Sequence, residues 1–329
     1  MHILIIKTTS LGDVVHNFPV ITDIKKHFPN ALIDWVVEES FADVLALHSG
    51  INKVIPVAIR RWRKTLLSKQ TWHEISAFKQ QLQSIKYDVV IDTQGLLKSG
   101  LITYLSNSPN KCGYDKASAR EPIASNFYHH RCTVSRELHA VTRNRQLVAL
   151  ALGYTLDIAA LDYDIYVPAN LDIQDTTVTL PSRFIMALHG TSRDSKLWPE
   201  NDWIALGKQL QTQGLALVLP WGNDAELNRA KRIASQLEQA IVLPKQRIAA
   251  LASIIQKAQA VVGVDTGLAH LAVALNKPVI AIYTDTNPSL TGLHGNALQG
   301  CVNLGGQHLQ TSPQDVMLEL EKFKIVAHA

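Results

Sequence analysis

The chain has 329 residues, of which 47% are hydrophobic and 18% are charged, a composition typical of soluble globular proteins. This length exceeds what one hydrophobic core comfortably holds, and it favours two domains. The net charge is +4 at pH 7, and no apolar run approaches the about 20 residues that a membrane-spanning helix needs.

Neither the start of the chain nor its cysteines indicate secretion. Residues 1–6 are apolar, but they lack the basic start and the small-residue cleavage site of a signal peptide. Cys112, Cys132 and Cys301 are widely spaced, which argues against a disulfide framework or a zinc-binding pattern. The sequence therefore predicts a cytoplasmic protein.

The positive charge is concentrated in one part of the first half. Residues 53–145 contain 16 Lys and Arg but only six Asp and Glu, whereas residues 166–329 contain 13 of each kind. Such a region indicates an anionic partner. A nucleic acid, an acidic lipid and an anionic sugar all have the required sign.

The first half alternates between short apolar runs and helical patterns. Strands are predicted at residues 3–6, 32–37, 54–57 and 88–92. Helices are predicted from the turn after the first strand to about residue 28, and at 41–47, 72–85, 96–105 and 137–152. This alternation is typical of a parallel sheet with helices on both faces.

The alternation breaks between residues 157 and 181 and then restarts. Strands are predicted at residues 184–188, 215–219, 241–243, 261–264 and 279–283, and helices at 201–213, 225–238, 247–256, 271–275 and 315–323. The sequence therefore predicts an α/β protein with two doubly wound, Rossmann-like domains, 1–165 and 166–329, facing a central cleft. The last helix could pack back on the first domain.

The turn after the first strand contains the first candidate for chemistry. It runs from Lys7 to Val15 and includes Gly12 and Asp13. Asp13 could act as a general base on a substrate hydroxyl, or it could simply cap the next helix. No GxGxxG and no GxxxxGK[ST] pattern is present, which argues against a dinucleotide-dependent oxidoreductase and a P-loop NTPase.

Three turns of the second half have a similar character. Residues 189–199 place Thr191, Ser192 and Lys196 after a strand, which suits a diphosphate but also an exposed polar loop. Glu226 could accept hydrogen bonds from a ribose diol, or it could be an acidic residue favoured in a first helical turn.

Residues 263–270 form the third of these turns. They place Asp265, Thr266 and Gly267 between a strand and a helix, where backbone N–H groups can face a phosphate. The alternative is an ordinary capped helix with Thr266 as N-cap.

A dense basic cluster surrounds Trp62 in the first half. Such a run is usually a solvated loop, but together with other cations of this half it could hold carboxylates or phosphates. The cations concerned are Arg60, Arg61, Arg63, Lys64, Lys98, Arg120, His139 and Arg143. No histidine or acidic pair has the spacing of a metal site, so no metal requirement is predicted.

In these motifs, and in their order, the chain resembles the lipopolysaccharide heptosyltransferases. The resemblance rests on residues 10–15 (SLGDVV), 60–64 (RRWRK), 191–199 (TSRDSKLWP) and 265–270 (DTGLAH), and it covers nearly the whole chain. It is greatest to the type that adds the first heptose of the inner core.

The resemblance implies the GT-B fold and an inverting, metal-independent transfer without a cofactor. L-glycero-D-manno-heptose would move from ADP-heptose, a substrate, to the first Kdo of Kdo2-lipid A. It also implies a protein that is peripheral on the cytoplasmic face of the inner membrane and contacts its anionic surface. We further expect a monomer without a nucleic-acid partner.

The resemblance also assigns roles to individual residues. Asp13 would be the base, and Lys196 would neutralise the departing ADP. The other donor-binding residues would be Thr191, Ser192, Glu226, Gln246, Asp265, Thr266, Gly267 and His270. The acceptor would be held by Lys7, Arg60, Arg61, Arg63, Lys64, Gln94, Lys98, Arg120, His139 and Arg143. Asp13 and Lys196 would lie on different domains, so catalysis would require cleft closure.

The sequence departs from the pattern at two donor-site positions. Ser192 replaces a common threonine and keeps the hydroxyl, and Gln246 replaces a methionine that commonly lines the adenine pocket. The alternatives are a heptosyltransferase of type II, another sugar-nucleotide glycosyltransferase, and a non-catalytic module that binds anionic lipids. A nucleic-acid binder would show a steep salt dependence instead.

Overall fold

A computed structural model describes residues 1–167, 179–295, 300–307 and 309–327 of the chain. Contacts divide the chain into two units, Met1–Ile165 and Tyr166–Ala329, and each unit is described by itself. Part of the segment where the alternation breaks, residues 168–178 of 157–181, lies outside the described residues. The acceptor-binding and donor-binding roles of the two halves stay predictions.

The first unit contains a six-stranded parallel sheet with the strand order β3-β2-β1-β4-β5-β6. Its strands are β1 (His2–Ile6), β2 (Leu32–Glu38), β3 (Lys53–Val57), β4 (Val89–Asp92), β5 (Lys111–Tyr114) and β6 (His130–Cys132). Its α-helices are α1 (Leu11–Val15), α2 (Phe18–His27), α3 (Ile59–Trp62), α4 (Lys69–Gln83), α5 (Leu97–Leu105) and α6 (Ala140–Leu152). The segments Glu39–Leu47 and Pro122–Phe127 are 3₁₀-helical.

The second unit repeats this architecture, with the strand order β12-β11-β10-β7-β8-β9 in a second six-stranded parallel sheet. Its strands are β7 (Phe184–Leu188), β8 (Ala216–Leu219), β9 (Ala240–Val242), β10 (Ala260–Val264), β11 (Val279–Tyr283) and β12 (Cys301–Gly305). Its α-helices are α7 (Glu200–Thr212), α8 (Asp224–Ala234), α9 (Ile248–Lys257), α10 (Gly267–Ala274) and α11 (Pro313–Lys322). Asp194–Lys196 is a 3₁₀ turn.

The predicted α/β class, with two Rossmann-like sheets, is therefore confirmed. In each sheet the chain starts at a central strand, builds one side outward, and then crosses to the other side. The carboxyl ends of β1 and β4 in the first unit, and of β7 and β10 in the second, are the positions where such sheets bind ligands.

Burial explains why the central strands were readable from the sequence. The four residues Ile3 to Ile6 of β1 are fully buried, as are most residues of β7 and β10. A parallel strand that is covered on both faces needs an uninterrupted apolar run rather than an alternating one. The other predicted strands and helices occur with their ends within four residues of the prediction, except where noted below.

Three strands, β5, β6 and β12, were not predicted, because they are short and carry polar residues or glycine. β5 contains Lys111, which is 9% exposed and whose Nζ donates to the carbonyl of Tyr104 at 2.6 Å. The aliphatic part of the Lys111 side chain is thus buried, while its ammonium group is hydrogen-bonded to a carbonyl oxygen. Gly113 of the same strand passes so close to Tyr128 that a Cβ would lie 2.3 Å from the ring.

Two helices precede residue 28, and Pro19, which could either start a helix or kink one begun earlier, starts the second. α1 ends after Val15, and α2 begins at Phe18 with Pro19 in its first turn. Proline lacks an N–H and is well tolerated only in a first helical turn, so Pro19 belongs to the start of a new helix.

The last helix packs within its own unit. The buried face of α11, formed by Val316, Met317 and Leu320, joins the core that also contains Trp203 of α7. The further expectation that α11 packs back on the first domain stays a prediction.

A buried histidine follows β7 at the centre of the second sheet. His189 has no exposed surface, and its Nε2 lies 3.0 Å from the carbonyl oxygen of Pro220. Burial, together with the nearby Arg229 guanidinium, lowers the pKa of His189 to about 4. The imidazole is therefore neutral at physiological pH and donates to the carbonyl through Nε2.

This histidine should make the second unit sensitive to acid. Between pH 6.5 and about 4, His189 is protonated in the unfolded chain but not in the folded chain. The free energy of unfolding therefore decreases as the pH falls through this window. The loss reaches about 3 kcal/mol at its lower end. We expect the free energy of unfolding of His189→Gln, measured with urea, to fall less than that of wild type as the pH is lowered from 7 to 4.5. The difference should reach up to about 3 kcal/mol.

Candidate active site

The turns after β7 and β10 come together at the switch point of the second sheet. The hydroxyl of Thr191 donates to the backbone carbonyl of Asp265 at 2.8 Å. The Nζ of Lys196 lies 2.5 Å from Oδ2 of Asp265, and the two side chains are only 16% and 15% exposed. The structure thus places three residues predicted from separate motifs next to each other.

Asp265 is the centre of this cluster. Its Oδ2 also accepts a hydrogen bond from the hydroxyl of Thr286 at 2.8 Å. Because one carboxylate oxygen accepts from both Lys196 and Thr286, the ammonium group is held at a defined position. An ammonium has three N–H donors, so this pairing leaves donors for a second anionic group.

The turn after β11 completes the cluster, and sequence reasoning missed it. Thr284 donates to the carbonyl of Ser195 at 2.7 Å, and Ser195 donates to Oδ2 of Asp285 at 2.7 Å. The signal was present, because Thr284, Asp285 and Thr286 follow a predicted strand as the other polar turns do.

Helix α10 begins at this cluster. Thr266 occupies its N-cap position with extended backbone, φ −144° and ψ 152°, but its side chain makes no capping hydrogen bond. The predicted N-cap position of Thr266 is therefore confirmed, although its side chain does not make the cap. The helix start, at Gly267, carries the partial positive charge of a helix N-terminus, and His270 is buried in the first turns of the helix.

Glu226 lies in the first turn of α8 and is engaged with backbone. Its Oε2 accepts from the N–H of Gly222 at 2.6 Å, and Asn223 caps the helix by accepting from the N–H of Glu226 at 3.0 Å. A Cβ on Gly190 would lie 2.7 Å from Cδ of Glu226, so this carboxylate packs against the turn after β7.

The remaining donor-site candidates are less closely tied to this cluster. Ser192 is exposed next to Thr191, and Gln246 is half-buried in the loop after β9. Close to Gln246, the Nζ of Lys245 lies 5.8 Å from the centre of the Trp221 ring, and the Trp221 indole donates to the carbonyl of Leu243 at 2.6 Å.

The turns after β1 and β4 meet in the same way in the first unit. The Nζ of Lys7 donates to the carbonyl of Thr93 at 2.9 Å. Oε1 of Gln94 accepts from the backbone N–H groups of Thr8 and Thr9, at 3.0 and 3.1 Å. Lys7 and Gln94 thus join the two turns across the switch point.

Asp13 lies at this switch point and has a structural role of its own. Its Oδ2 accepts from the N–H of Ser10 at 2.7 Å and from the Ser10 hydroxyl at 3.1 Å, as in a capping box at the start of α1. The capping interpretation is therefore realised. A carboxylate has about four lone-pair sites on two oxygens, so capping does not prevent Asp13 from accepting a proton.

A buried aspartate that sequence reasoning missed shapes the neighbouring turn. Asp92 ends β4, accepts through Oδ1 from the N–H groups of Gln94 and Gly95, and accepts through Oδ2 from the Tyr128 hydroxyl at 2.6 Å. Burial raises the pKa of Asp92, although these hydrogen bonds oppose the effect. The signal was an acidic residue at the end of an apolar strand.

Several of the predicted acceptor-binding cations surround Asp13. Burial lowers the pKa of Lys7, with Asp13 opposing this and Arg143 and Arg120 adding to it. Burial also lowers the pKa of Lys98. Glu38 opposes this lowering, and Arg60 and Arg63 add to it. The Nζ of Lys98 donates to the Thr9 hydroxyl at 2.7 Å. The structure therefore brings Lys7 and Lys98 within electrostatic range of Asp13, and it places the four arginines within range of one or other of these two lysines.

Other predicted cations are tied to neighbours. Arg61 pairs with Glu39 at 3.0 Å and with Glu74 at 2.7 Å, and these contacts raise its pKa. The Arg143 guanidinium lies 5.0 Å from the Tyr114 ring centre and donates to the carbonyl of Ser118 at 2.7 Å.

His139 and Lys64 differ from these two arginines. The His139 side chain caps α6 by accepting from the N–H of Val141. Lys64 is exposed beyond the end of α3.

The basic cluster at residues 60–64 is exposed at its four cations, but only part of it is a loop. It contains a helical turn, α3, whose Trp62 is only 9% exposed. The indole N–H of Trp62 donates to Oε2 of Glu74 at 2.7 Å, and its ring packs against Phe78. Trp62 is therefore a core residue.

No group of three His, Cys, Asp or Glu side chains in the described ranges is placed to hold a metal ion. No helix in this part of the chain combines the length and the apolar character needed to cross a bilayer.

The chain is similar in sequence to known glycosyltransferases. The sequence pattern of glycosyltransferase family 9 (heptosyltransferase) matches residues 75–322. A lipopolysaccharide heptosyltransferase 1 from Pseudomonas aeruginosa is 44% identical over 90% of this chain and 82% of its own length. By contrast, a lipopolysaccharide heptosyltransferase 2 from Salmonella typhimurium is 22% identical over 88% of the chain.

Solved structures give the same result over nearly the whole chain. Escherichia coli heptosyltransferase WaaC with ADP superposes with a TM-score of 0.88 at 40% identity, covering 98% of this chain and 99% of that one. The same enzyme with ADP-2-deoxy-2-fluoro heptose gives 0.85 at 39% identity, covering 98% and 100%. By pattern, sequence and fold, the chain belongs to glycosyltransferase family 9, the heptosyltransferases.

Proposed function

We propose that this protein transfers heptose from ADP-heptose to the first Kdo of Kdo2-lipid A, in the synthesis of the lipopolysaccharide inner core. The observation that carries the proposal is the Lys196–Asp265 pair at the start of α10, at the switch point of the second sheet. Structures of a 40% identical relative with ADP and with an ADP-heptose analogue support this choice of donor.

In this proposal the second unit holds the donor. Lys196 and the start of α10 stabilise the negative charge that develops on the departing diphosphate. Asp265 and Thr286 keep the ammonium of Lys196 in place. The diphosphate and the heptose are contacted by Thr191, Ser192, Thr266, Gly267 and His270. Glu226 accepts hydrogen bonds from the ribose hydroxyls, and Gln246 borders the adenine.

The first unit holds the acceptor. Asp13 takes the proton of the attacking Kdo hydroxyl, whose oxygen forms a bond to the anomeric carbon as the bond to the ADP oxygen breaks. A single displacement of this kind inverts the anomeric configuration. Positive charge for the leaving group comes from Lys196, so we propose that turnover needs neither a metal ion nor a cofactor.

The cations around Asp13 bind the anionic groups of the acceptor. Six of the cations suit the carboxylates and phosphates of Kdo2-lipid A, namely Lys7, Arg60, Arg63, Lys98, Arg120 and Arg143. The rest of the predicted acceptor-binding set is Gln94, His139, Arg61 and Lys64. We propose that the protein works as a monomer on the cytoplasmic face of the inner membrane, in peripheral contact with its anionic surface, and binds no nucleic acid.

The first test is ADP release by the purified protein, with ADP-heptose and de-acylated Kdo2-lipid A each omitted in turn. We expect release only when both are present, and no loss of activity with a chelator. Release with an acceptor that already carries a heptose, but not with Kdo2-lipid A, would indicate a type II enzyme. Binding of the anionic acceptor without any release would indicate a non-catalytic module.

The role of Asp13 can be separated from its capping contact. Asp13→Ala should lower kcat by about 10²-fold or more and leave the dissociation constant of ADP-heptose nearly unchanged, because the base acts only on the acceptor. Asp13→Asn keeps an oxygen for capping and should lose turnover as well. Both are measured by ADP release and by calorimetric titration with donor.

A matched control is available in the second unit. Asp315 accepts from Ser312 at the start of α11 in the same arrangement, at 2.8 Å from the N–H and 2.7 Å from the hydroxyl. Asp315→Ala removes the same kind of cap and should leave kcat intact. Equal losses of turnover and of donor affinity in Asp13→Ala would contradict the assignment of the base.

Lys196 is predicted to act on the leaving group. Lys196→Met should lower kcat by about 10²- to 10³-fold, because Lys196 is the ammonium that the described part of the chain pairs with Asp265. Lys208→Met, at an exposed position on α7, serves as the control. A Lys196→Met protein with wild-type turnover would show that the leaving group is stabilised elsewhere.

A further inference from the structure

The connection between α3 and α4 exposes an apolar surface. Leu67 is 102% exposed, and Leu66 and Trp72 are 51% and 58% exposed. We refer to residues 63–72 as the apolar loop. Single exposed leucines are common on protein surfaces, but here three large apolar side chains lie in one short segment.

Internal hydrogen bonds hold the apolar loop in this shape. The indole N–H of Trp72 donates to the carbonyl of Leu66 at 2.8 Å, which places the two residues next to each other. The hydroxyls of Thr65 and Thr71 lie 2.8 Å apart, and the N–H of Ser68 donates to the carbonyl of Thr65 at 3.0 Å. Since the indole N–H is already satisfied, its ring can leave water without an unpaired donor.

Cations flank the apolar side chains. Arg63 and Lys64 precede Leu66, and Lys69 follows it, and all three are exposed. The apolar loop itself contains no acidic residue. An apolar tip between cations suits one partner in particular, the surface of a bilayer with anionic headgroups.

The base of the apolar loop is fixed to the core. Trp62, directly before it, is buried and bonded to Glu74 of α4, and Thr71 is only 2% exposed. A rigid base means that insertion of the tip orders few further residues, and the ordering of side chains is a major cost of association.

We propose that the apolar loop is the membrane-docking element of the protein, with Leu66, Leu67 and Trp72 entering the headgroup region of an anionic bilayer. Lys69, Arg63 and Lys64 would lie at the level of the lipid phosphates. This inference deepens the proposed function, because it names the surface through which the enzyme reaches a lipid acceptor.

The test is flotation of the purified full-length protein with vesicles that lack both substrates. Wild type should float with vesicles of phosphatidylglycerol and phosphatidylethanolamine, and much less with neutral phosphatidylcholine. Leu66→Gln/Leu67→Gln should lower the partition coefficient by at least about tenfold, whereas Leu309→Gln/Leu318→Gln, two exposed leucines of the second unit, should not. Equal flotation of the first variant and wild type would overturn the proposal.

A second measurement follows the tryptophan itself. Lipids brominated near the headgroup should quench wild-type fluorescence, and Trp72→Phe should remove most of the quenching. Of the other five tryptophans, Trp35, Trp62, Trp198 and Trp203 are buried, and Trp221 is half-buried in the second unit. Quenching that persists in Trp72→Phe would place another surface on the membrane and overturn the proposal.

Turnover separates this proposal from the proposed function. Leu66→Gln/Leu67→Gln should act on de-acylated acceptor at the wild-type rate but on acceptor embedded in vesicles at a clearly lower rate. If wild type turns over neither acceptor, the proposed function fails, while the flotation result still decides whether the apolar loop docks on membranes.

Discussion

Both sites depend on one constraint of parallel sheets, namely that the carboxyl ends of all strands lie at the same edge. Where the chain leaves two adjacent strands in opposite directions, no connection covers the space between their ends. Turns distant in sequence then become neighbours, as residues 7–9 and 93–94 do in the first unit and 191–196 and 265 in the second. The polar contacts at these points fix the turns that follow strands already paired by backbone hydrogen bonds, β1 with β4 and β7 with β10.

The sequence was sufficient to predict the central strands and the turns that follow them, because burial on both faces demands long apolar runs. It was insufficient for β5, β6 and β12, which satisfy their polar residues through tertiary contacts. Lys111 is an example, since its burial depends on a carbonyl of a helix seven residues earlier. Pro19 carried the signal for two helices rather than one, but a first-turn proline and a kink look alike in a sequence.

The candidate sites show the same division. Asp13, Lys196 and Asp265 could be selected because polar turns after buried strands are conspicuous. The contacts that hold them could not be predicted, since the pairing of Asp265 with Thr286, for example, requires the strand order. In the basic segment at 60–64, the sequence did not show that Trp62 packs into the core. The exposed apolar side chains lie in the residues that follow this segment.

The Lys196–Asp265 pair also bears on how the catalytic cycle ends. In the free site, Asp265 acts as an internal counter-ion for the ammonium. When a diphosphate departs, the lysine therefore returns to a neutralised state instead of being left as a bare, partly buried cation. Under the proposed function, such a built-in replacement for the product weakens product inhibition by ADP and favours its exchange for a new donor.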